Sequence, residues 1–159
     1  MIFPAPIRVL ACAALVIATL SAASTASAKD AQDAAAQAIA KVDLRNLAVK
    51  PIAAFTGVSS AFIRGSFSTP GLYAAQGLMA KGSTFPPHAH PDVRFSIVIS
   101  GTMYLGQGKT FDAAKLVAYP AGTMAITPAN TPHFMSAPDG DVRILEIGSG
   151  PSGNAFFGD

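Results

Sequence analysis

Cysteine occurs once in the 159-residue sequence, at Cys12, inside an N-terminal segment that reads as an export signal. Once that segment is removed, the chain has no disulfide framework, no thiolate nucleophile and no cysteine-based zinc site. Charge is also scarce: Asp, Glu, Lys and Arg make up 13% of the residues and the formal net charge is +2. No cluster of Lys or Arg concentrates it, so neither nucleic acid nor a membrane surface is expected as a partner. Internal repeats, low-complexity tracts and a second domain are absent. Glutamate appears once, at Glu146, and histidine three times. The chain is instead rich in apolar and turn residues, with 50% hydrophobic residues, 14 Gly and 12 Pro. That composition suits one domain of short strands joined by turns.

Residues Met1–Ala28 have the three parts of a secretory signal peptide. Arg8 supplies the positive region, Val9–Ala23 the apolar region, and Ala26-Ser27-Ala28 a small-residue cleavage site. The apolar run is too short and too diluted by Ala, Ser and Thr to span a bilayer, which takes about 20 residues. The expected mature chain starts at Lys29, is periplasmic or secreted, and has no membrane attachment after cleavage. Residues 29–58 begin alanine-rich with few large apolar groups, and read as a partly helical or disordered leader.

From Ser59 to the C-terminus the punctuation is that of an all-β domain, residues 59–159. Strands are expected at Ser59–Phe67, Leu72–Ala80, Arg94–Ser100, Met103–Gly106, Val117–Tyr119, Met124–Thr127, His133–Ala137 and Val142–Ile147. Turns such as Ser68-Thr69-Pro70-Gly71 and Pro138-Asp139-Gly140 separate them,. Phe111–Leu116 reads as a helical turn or a covering loop, and Gly148–Gly153 as a tail loop. Ile63, Phe67, Leu72, Leu78, Phe95, Ile97, Val98, Ile99, Tyr104, Leu105, Ile126, Phe134, Ile144 and Leu145 are the expected core.

The stretch Gly82–Gly101 is the chemical centre of the sequence. Pro86-Pro87 leads the backbone extended into His88-Ala89-His90, because proline fixes its own φ and disfavours helical geometry before it. In an extended chain residues i and i+2 share a face, so the two imidazoles point the same way. The remaining histidine, His133, lies in a similarly built turn-plus-strand segment, Gly122–Ala137.

Gly82, five intervening residues, His88-Ala89-His90 and then Gly101 together resemble the first signature of the cupin superfamily. Gly122, five residues, Pro128 and His133 resemble the second. The resemblance spans roughly Ser59 to Phe157, and the wording HPDVRFSIVISGTMYLG…PANTPHF looks like small secreted bacterial cupins with a single barrel. It implies a double-stranded β-helix, or jelly-roll, barrel. It also implies that His88, His90 and His133 bind one divalent transition metal, whether Fe, Mn, Ni, Cu or Zn.

The sequence departs from the family pattern at Arg94, where a metal-binding glutamate is usual, and at Asn130 and Ala137 in the second signature. Guanidinium cannot bind a metal. About 6 Å from a divalent ion, an inward Arg94 would be repelled by on the order of 5 kcal/mol at an effective dielectric near 20. Either Arg94 turns out towards Asp92 at the surface, or an anion lies between it and the metal. In the second case Arg94 anchors the carboxylate of a small anionic ligand. Ser96, which shares the parity of Arg94, Gln76, which sits mid-strand among small and apolar residues, and Tyr104, which carries a hydroxyl, are further candidate ligand-binding residues. Glu146 is a candidate to replace the missing carboxylate ligand, although its alternation with Leu145 and Ile147 suggests the opposite face.

Two functions fit these residues. One is an exported metal-dependent enzyme, an oxygenase, isomerase or lyase acting on a small organic acid. The other is a non-catalytic cupin that binds or senses a metal or small ligand. Open sheet edges and the family resemblance also predict a homodimer.

Overall fold

Alternating apolar and polar positions become eleven short strands and one 3-10 turn in the computed structural model, which describes residues 39–158. The expected signal peptide, residues 1–28, and residues 29–38 of the leader lie outside the described residues. The strands are β1 (Lys50–Pro51), β2 (Val58–Arg64), β3 (Gly71–Met79), β4 (Thr84–Ala89), β5 (Arg94–Ser100) and β6 (Thr102–Gln107). After the 3-10 turn at Ala113–Lys115 come β7 (Val117–Pro120), β8 (Met124–Thr127), β9 (His133–Ser136), β10 (Val142–Gly150) and β11 (Ala155–Phe156).

They form two antiparallel sheets, in the orders β1-β2-β3-β10-β5-β8 and β11-β4-β9-β6-β7. This is the expected all-β double-stranded β-helix. Chain neighbours such as β3 and β4 lie in different sheets, which is how a jelly roll closes around one interior. Gly101 joins β5 to β6 with φ +77°, and a Cβ there would meet the Asp141 carbonyl oxygen at 2.2 Å. Only glycine fits that turn.

Register decides which side chains enter the barrel, since residues directly opposite in paired strands share a face. Met79, Val98, Val142 and Ile144 point inward and pack with Val58, Phe85, Met103 and Met135. Val98, Phe134 and Ile144 are buried as expected, but Leu72, Phe95, Ile99 and Ile126 are exposed. These four occupy alternating positions on the outer face of the six-stranded sheet. Their apolar character therefore does not mark them as core. In β8, for example, Ala125 and Thr127 are buried while Met124 and Ile126 face outward.

Two further differences concern the ends of the domain. β1 pairs with β2, and Ile52 and Phe55 pack against the core, so the folded unit begins before the boundary expected at residue 59. The C-terminal segment is not a loose tail. β10 runs on to Gly150, and β11 adds to the second sheet by pairing Phe156 with His88 and Ala155 with Ala89.

Candidate metal centre

The Pro-Pro pair delivers His88 along β4, and β4–β9 pairing sets His88 directly opposite His133. Their ring centroids are 4.2 Å apart, and His90 lies 5.0 Å from His133 and 6.1 Å from His88. One nitrogen from each ring falls within 4.8 Å of the others.

Each Nδ1 sits beside a carbonyl two residues away in sequence: Pro86 for His88 (2.9 Å), Asp92 for His90 (2.8 Å) and Thr131 for His133 (2.9 Å). A neutral ring donates its Nδ1–H to that carbonyl and leaves a lone pair on Nε2, the arrangement that orients histidine ligands. His90 Nε2 is buried without a hydrogen-bond partner. Burial, reinforced by His133, pushes His88 down to about 3, and burial pushes His133 down to about 4 and lowers His90 as well. All three are neutral at physiological pH. An orphaned buried nitrogen in a set of neutral, fixed imidazoles fits a transition metal.

The positions that flank this set are held by the second turn segment. Asn130 adopts the left-handed conformation, φ 58°, and donates its N–H to the His90 carbonyl at 2.7 Å. Asparagine is among the few non-glycine residues that tolerate that conformation.

Arg94 enters the barrel with His88 and is 2% exposed. It takes Asp92 with it, so the expected surface pairing of these two residues occurs in the interior instead. Nη2 lies 3.6 Å from Asp92 Oδ1, and Nη1 lies 3.9 Å from Glu146 Oε2. Every guanidinium nitrogen also donates a hydrogen bond: Nε to Tyr73 Oη (2.9 Å), Nη1 to Asn154 Oδ1 (3.1 Å) and Nη2 to Ser152 Oγ (3.2 Å). Asp92 accepts from Tyr73 Oη at 2.5 Å, from Ser152 Oγ and from Ser149 N–H. Burial works against the Asp92 carboxylate, but the Ser152 and Tyr73 hydrogen bonds and the Arg94 charge hold it below its usual range. Gly148 makes room for this network, since a Cβ there would lie 2.1 Å from Asp92 Oδ2. Two carboxylates, rather than a bound anion, thus balance the Arg94 charge. The guanidinium is committed to the C-terminal segment, and no nitrogen is left wholly free to anchor a ligand carboxylate.

Of the other expected ligand-binding residues, Ser96 is inside, its Oγ donating to Glu146 Oε1 at 3.4 Å. Tyr104 is not. Leu105 pairs with inward Met135, so Tyr104 points out, and its hydroxyl bonds Asp139. Gln76 also faces away: it pairs with Leu145, one position out of phase with inward Glu146, and borders the interior through its strand. Its amide nitrogen and oxygen are buried without hydrogen-bond partners.

Glu146 reverses the sequence expectation. It shares the face of Val142 and Ile144 and lies opposite Ser96, within the barrel. Leu145 and Ile147 are the outward pair, in keeping with the apolar outer face. The parity was readable, but which parity is interior was not.

A partly open cavity of about 80 Å³ adjoins His88. Ile52, Phe62, Met79, Phe85, Met135 and Ile144 form much of its wall, with Glu146, Arg94 and Asn154 among its polar residues. Burial raises the Glu146 carboxyl above its ordinary value, against the Arg94 charge and the Ser96 hydrogen bond. Phe156 of β11 packs over Phe55, Phe85 and His88 at centroid distances of 5.1, 5.7 and 5.8 Å, closing this side of the histidine set.

Acid should destabilise the metal-free protein through the histidines. Unfolded, their value is near 6.5, whereas folded His88 and His133 lie at about 3 and about 4. The unfolded chain therefore binds more protons below pH 6.5. Stability is fully present above that pH and falls towards pH 4, by up to about 1.4 kcal/mol per pH unit for each histidine. Glu146, raised when folded, acts in the opposite direction and offsets part of the loss. Urea midpoints of metal-free protein between pH 7.5 and 4.5 test this, and a flat profile would refute it.

Residues 77–148 match the family model of the cupin domain. No curated protein matches the sequence. Among solved structures, the polyketide cyclase RemF from Streptomyces resistomycificus is similar with a TM-score of 0.61 and 16% identity, over 77% of this chain and 89% of that one. A Klebsiella pneumoniae protein with a double-stranded β-helix domain gives 0.61 and 17%, over 77% and 100%. KdgF from a Halomonas species gives 0.53 and 17%, over 66% and 89%. At these identities the structural likeness speaks for the fold. The histidine-bearing strands lie inside the matched region and the barrel topology is shared, so residues 77–148 are identified as a cupin domain.

Proposed function

We propose that this chain is an exported cupin whose His88, His90 and His133 hold one divalent transition metal beside a small-molecule cavity. The observation that carries this reading is the convergence of three neutral imidazoles, each with Nδ1 fixed by a backbone carbonyl. When bound, a metal with three nitrogen ligands supplies Lewis acidity at its remaining positions. The chain's own residues orient the rings, exclude bulk water with Phe156 and the barrel wall, and place Glu146 where a proton can be given or taken. This supports a metal-dependent enzyme acting on a small molecule. Export rests on the Met1–Ala28 pattern. Metal content and intact mass of protein recovered from the periplasm of its host test both parts, with His88→Ala as the metal-free control. Wild-type protein without stoichiometric metal, or retaining Cys12, overturns the corresponding part.

A non-catalytic binding module is the second reading. Arg94 favours it, because the position that usually supplies a carboxylate ligand is occupied by a cation tied to the C-terminal segment.

The dimer remains part of the proposal, and the outer face of the six-stranded sheet supports it. Phe95 and Ile126 pair across β5 and β8, Ile97 pairs with Met124, and Leu72 is 64% exposed. Such contiguous apolar surface marks an interface, and β8 is a sheet edge. Light scattering should give the mass of two chains, and Ile126→Lys should return one. A wild-type monomer at micromolar concentration would refute this.

A further inference from the structure

Glu146 faces the His88 cavity with its hydrogen-bonding capacity largely unused. Its carboxylate can accept about four hydrogen bonds, yet Ser96 Oγ reaches it only at 3.4 Å and Arg94 stands off at 3.9 Å. Its side chain is 17% exposed and faces the same partly open cavity as His88. The surrounding wall is dominated by apolar side chains, notably Met79, Phe85, Met135 and Ile144. A buried polar group in that setting is costly unless it is hydrogen-bonded.

Size and charge narrow the ligand. One water needs roughly 10–15 Å³ of such volume. A cavity of about 80 Å³ therefore takes on the order of five to eight non-hydrogen atoms,. Arg94, the cation lining the cavity, already donates from every nitrogen and is balanced by Asp92 and Glu146. An anionic ligand would instead lie against the Glu146 carboxyl between hydrocarbon walls. An uncharged oxygen meets no such opposition. A hydroxyl can donate to the carboxylate, and a carbonyl can accept from the protonated acid.

We propose that the cavity beside His88 binds an uncharged, largely apolar molecule of about five to eight non-hydrogen atoms, held by Glu146 at a single hydroxyl or carbonyl. This deepens the small-molecule reading above and rests on it, but not on the metal, because the walls and Glu146 belong to the chain itself. It also replaces the organic acid expected from the sequence with a neutral compound.

The test is a titration with 2-hexanone and with pentanoate, its charged isostere, which has the same number of non-hydrogen atoms. The Met79 and Met135 methyl resonances, both in the cavity wall, report occupancy in metal-loaded and metal-free protein. The expected result is that 2-hexanone shifts both methyls, with or without metal, and binds at least roughly tenfold more tightly than pentanoate. Glu146→Leu should weaken 2-hexanone at least roughly tenfold, while Glu146→Gln should retain it and narrow the preference against pentanoate. If Glu146→Leu fails to fold, Ala75→Leu serves instead: Ala75 lies opposite Glu146 in register and the larger side chain should block binding. The proposal is overturned if pentanoate binds as tightly as 2-hexanone, if neither methyl responds, or if folded Glu146→Leu binds 2-hexanone as wild type does. Loss of metal with these methyl shifts intact would refute the metal reading alone.

Discussion

Arg94→Met is expected to lower the unfolding free energy by about 3–5 kcal/mol, the range for removing one partner of a buried ion pair. The guanidinium joins β5 to Tyr73 on β3 and to Ser152 and Asn154 of the C-terminal segment, with Asp92 and Glu146 as counter-charges. Without it, two carboxylates remain inside with no cation facing them. Native stability is only about 5–15 kcal/mol, so the loss is a large fraction of the whole. It should be greatest locally, with β11 opening first and amide exchange accelerating at Ala155–Phe157. Arg94→Lys should recover little, because one ammonium cannot reach Tyr73, Ser152 and Asn154 together. Urea unfolding of the three proteins, read together with exchange at β11, is the measurement. A loss below about 1 kcal/mol, the size of an exposed pair, would show that the network contributes little.

His88→Ala is expected to weaken metal binding by roughly a hundredfold or more. Loss of even a group that merely supports a ligand costs about 10–100-fold, and here a ligand itself is removed. His88 lines the cavity, its ring lies 4.2 Å from that of His133, and it also contacts Phe85 at a centroid distance of 4.7 Å. Some fold stability will therefore go with it. His88→Gln, closer in volume, separates the two effects: folding should largely return while tight metal binding does not. Competition against a chromophoric chelator at pH 7.5, with unfolding measured on the same samples, gives both quantities. Retention of wild-type affinity in folded His88→Ala would remove His88 from the metal set.

The strand pattern, the turns and the histidine set were legible in the sequence because each depends on local geometry. Pro86-Pro87 extends the chain into His88 and His90, and Gly101 and Asn130 occupy turns whose left-handed backbone few other residues accept,. The short helical turn at Ala113–Lys115 was similarly local, with the Asp112 side chain capping Ala114 N–H at 3.0 Å. The core was less legible. In β5 and β8 the apolar residues Phe95, Ile99, Met124 and Ile126 lie on the outer face, and polar Arg94, Ser96 and Thr127 on the inner one. Alternation shows that a strand has two faces but leaves open which is interior, and here the usual rule of apolar-inside is inverted around the site.

By itself, the sequence determined that this is an all-β cupin barrel and that its three histidines stand at the ends of two turn-plus-strand units. The tertiary structure alone decided what surrounds them. β4–β9 pairing brings His133 against His88, across 44 intervening residues. β10 turns Glu146 inward, and β11 closes over His88 while Ser152 and Asn154 take up the Arg94 guanidinium. The physical reason is range. Proline, glycine and strand alternation act over a few residues, whereas a buried charge is stabilised by whichever groups the fold brings to it. For Arg94 only Asp92 is a sequence neighbour; its other partners lie on β3, β10 and the C-terminal segment, and nothing in the neighbouring sequence marks those.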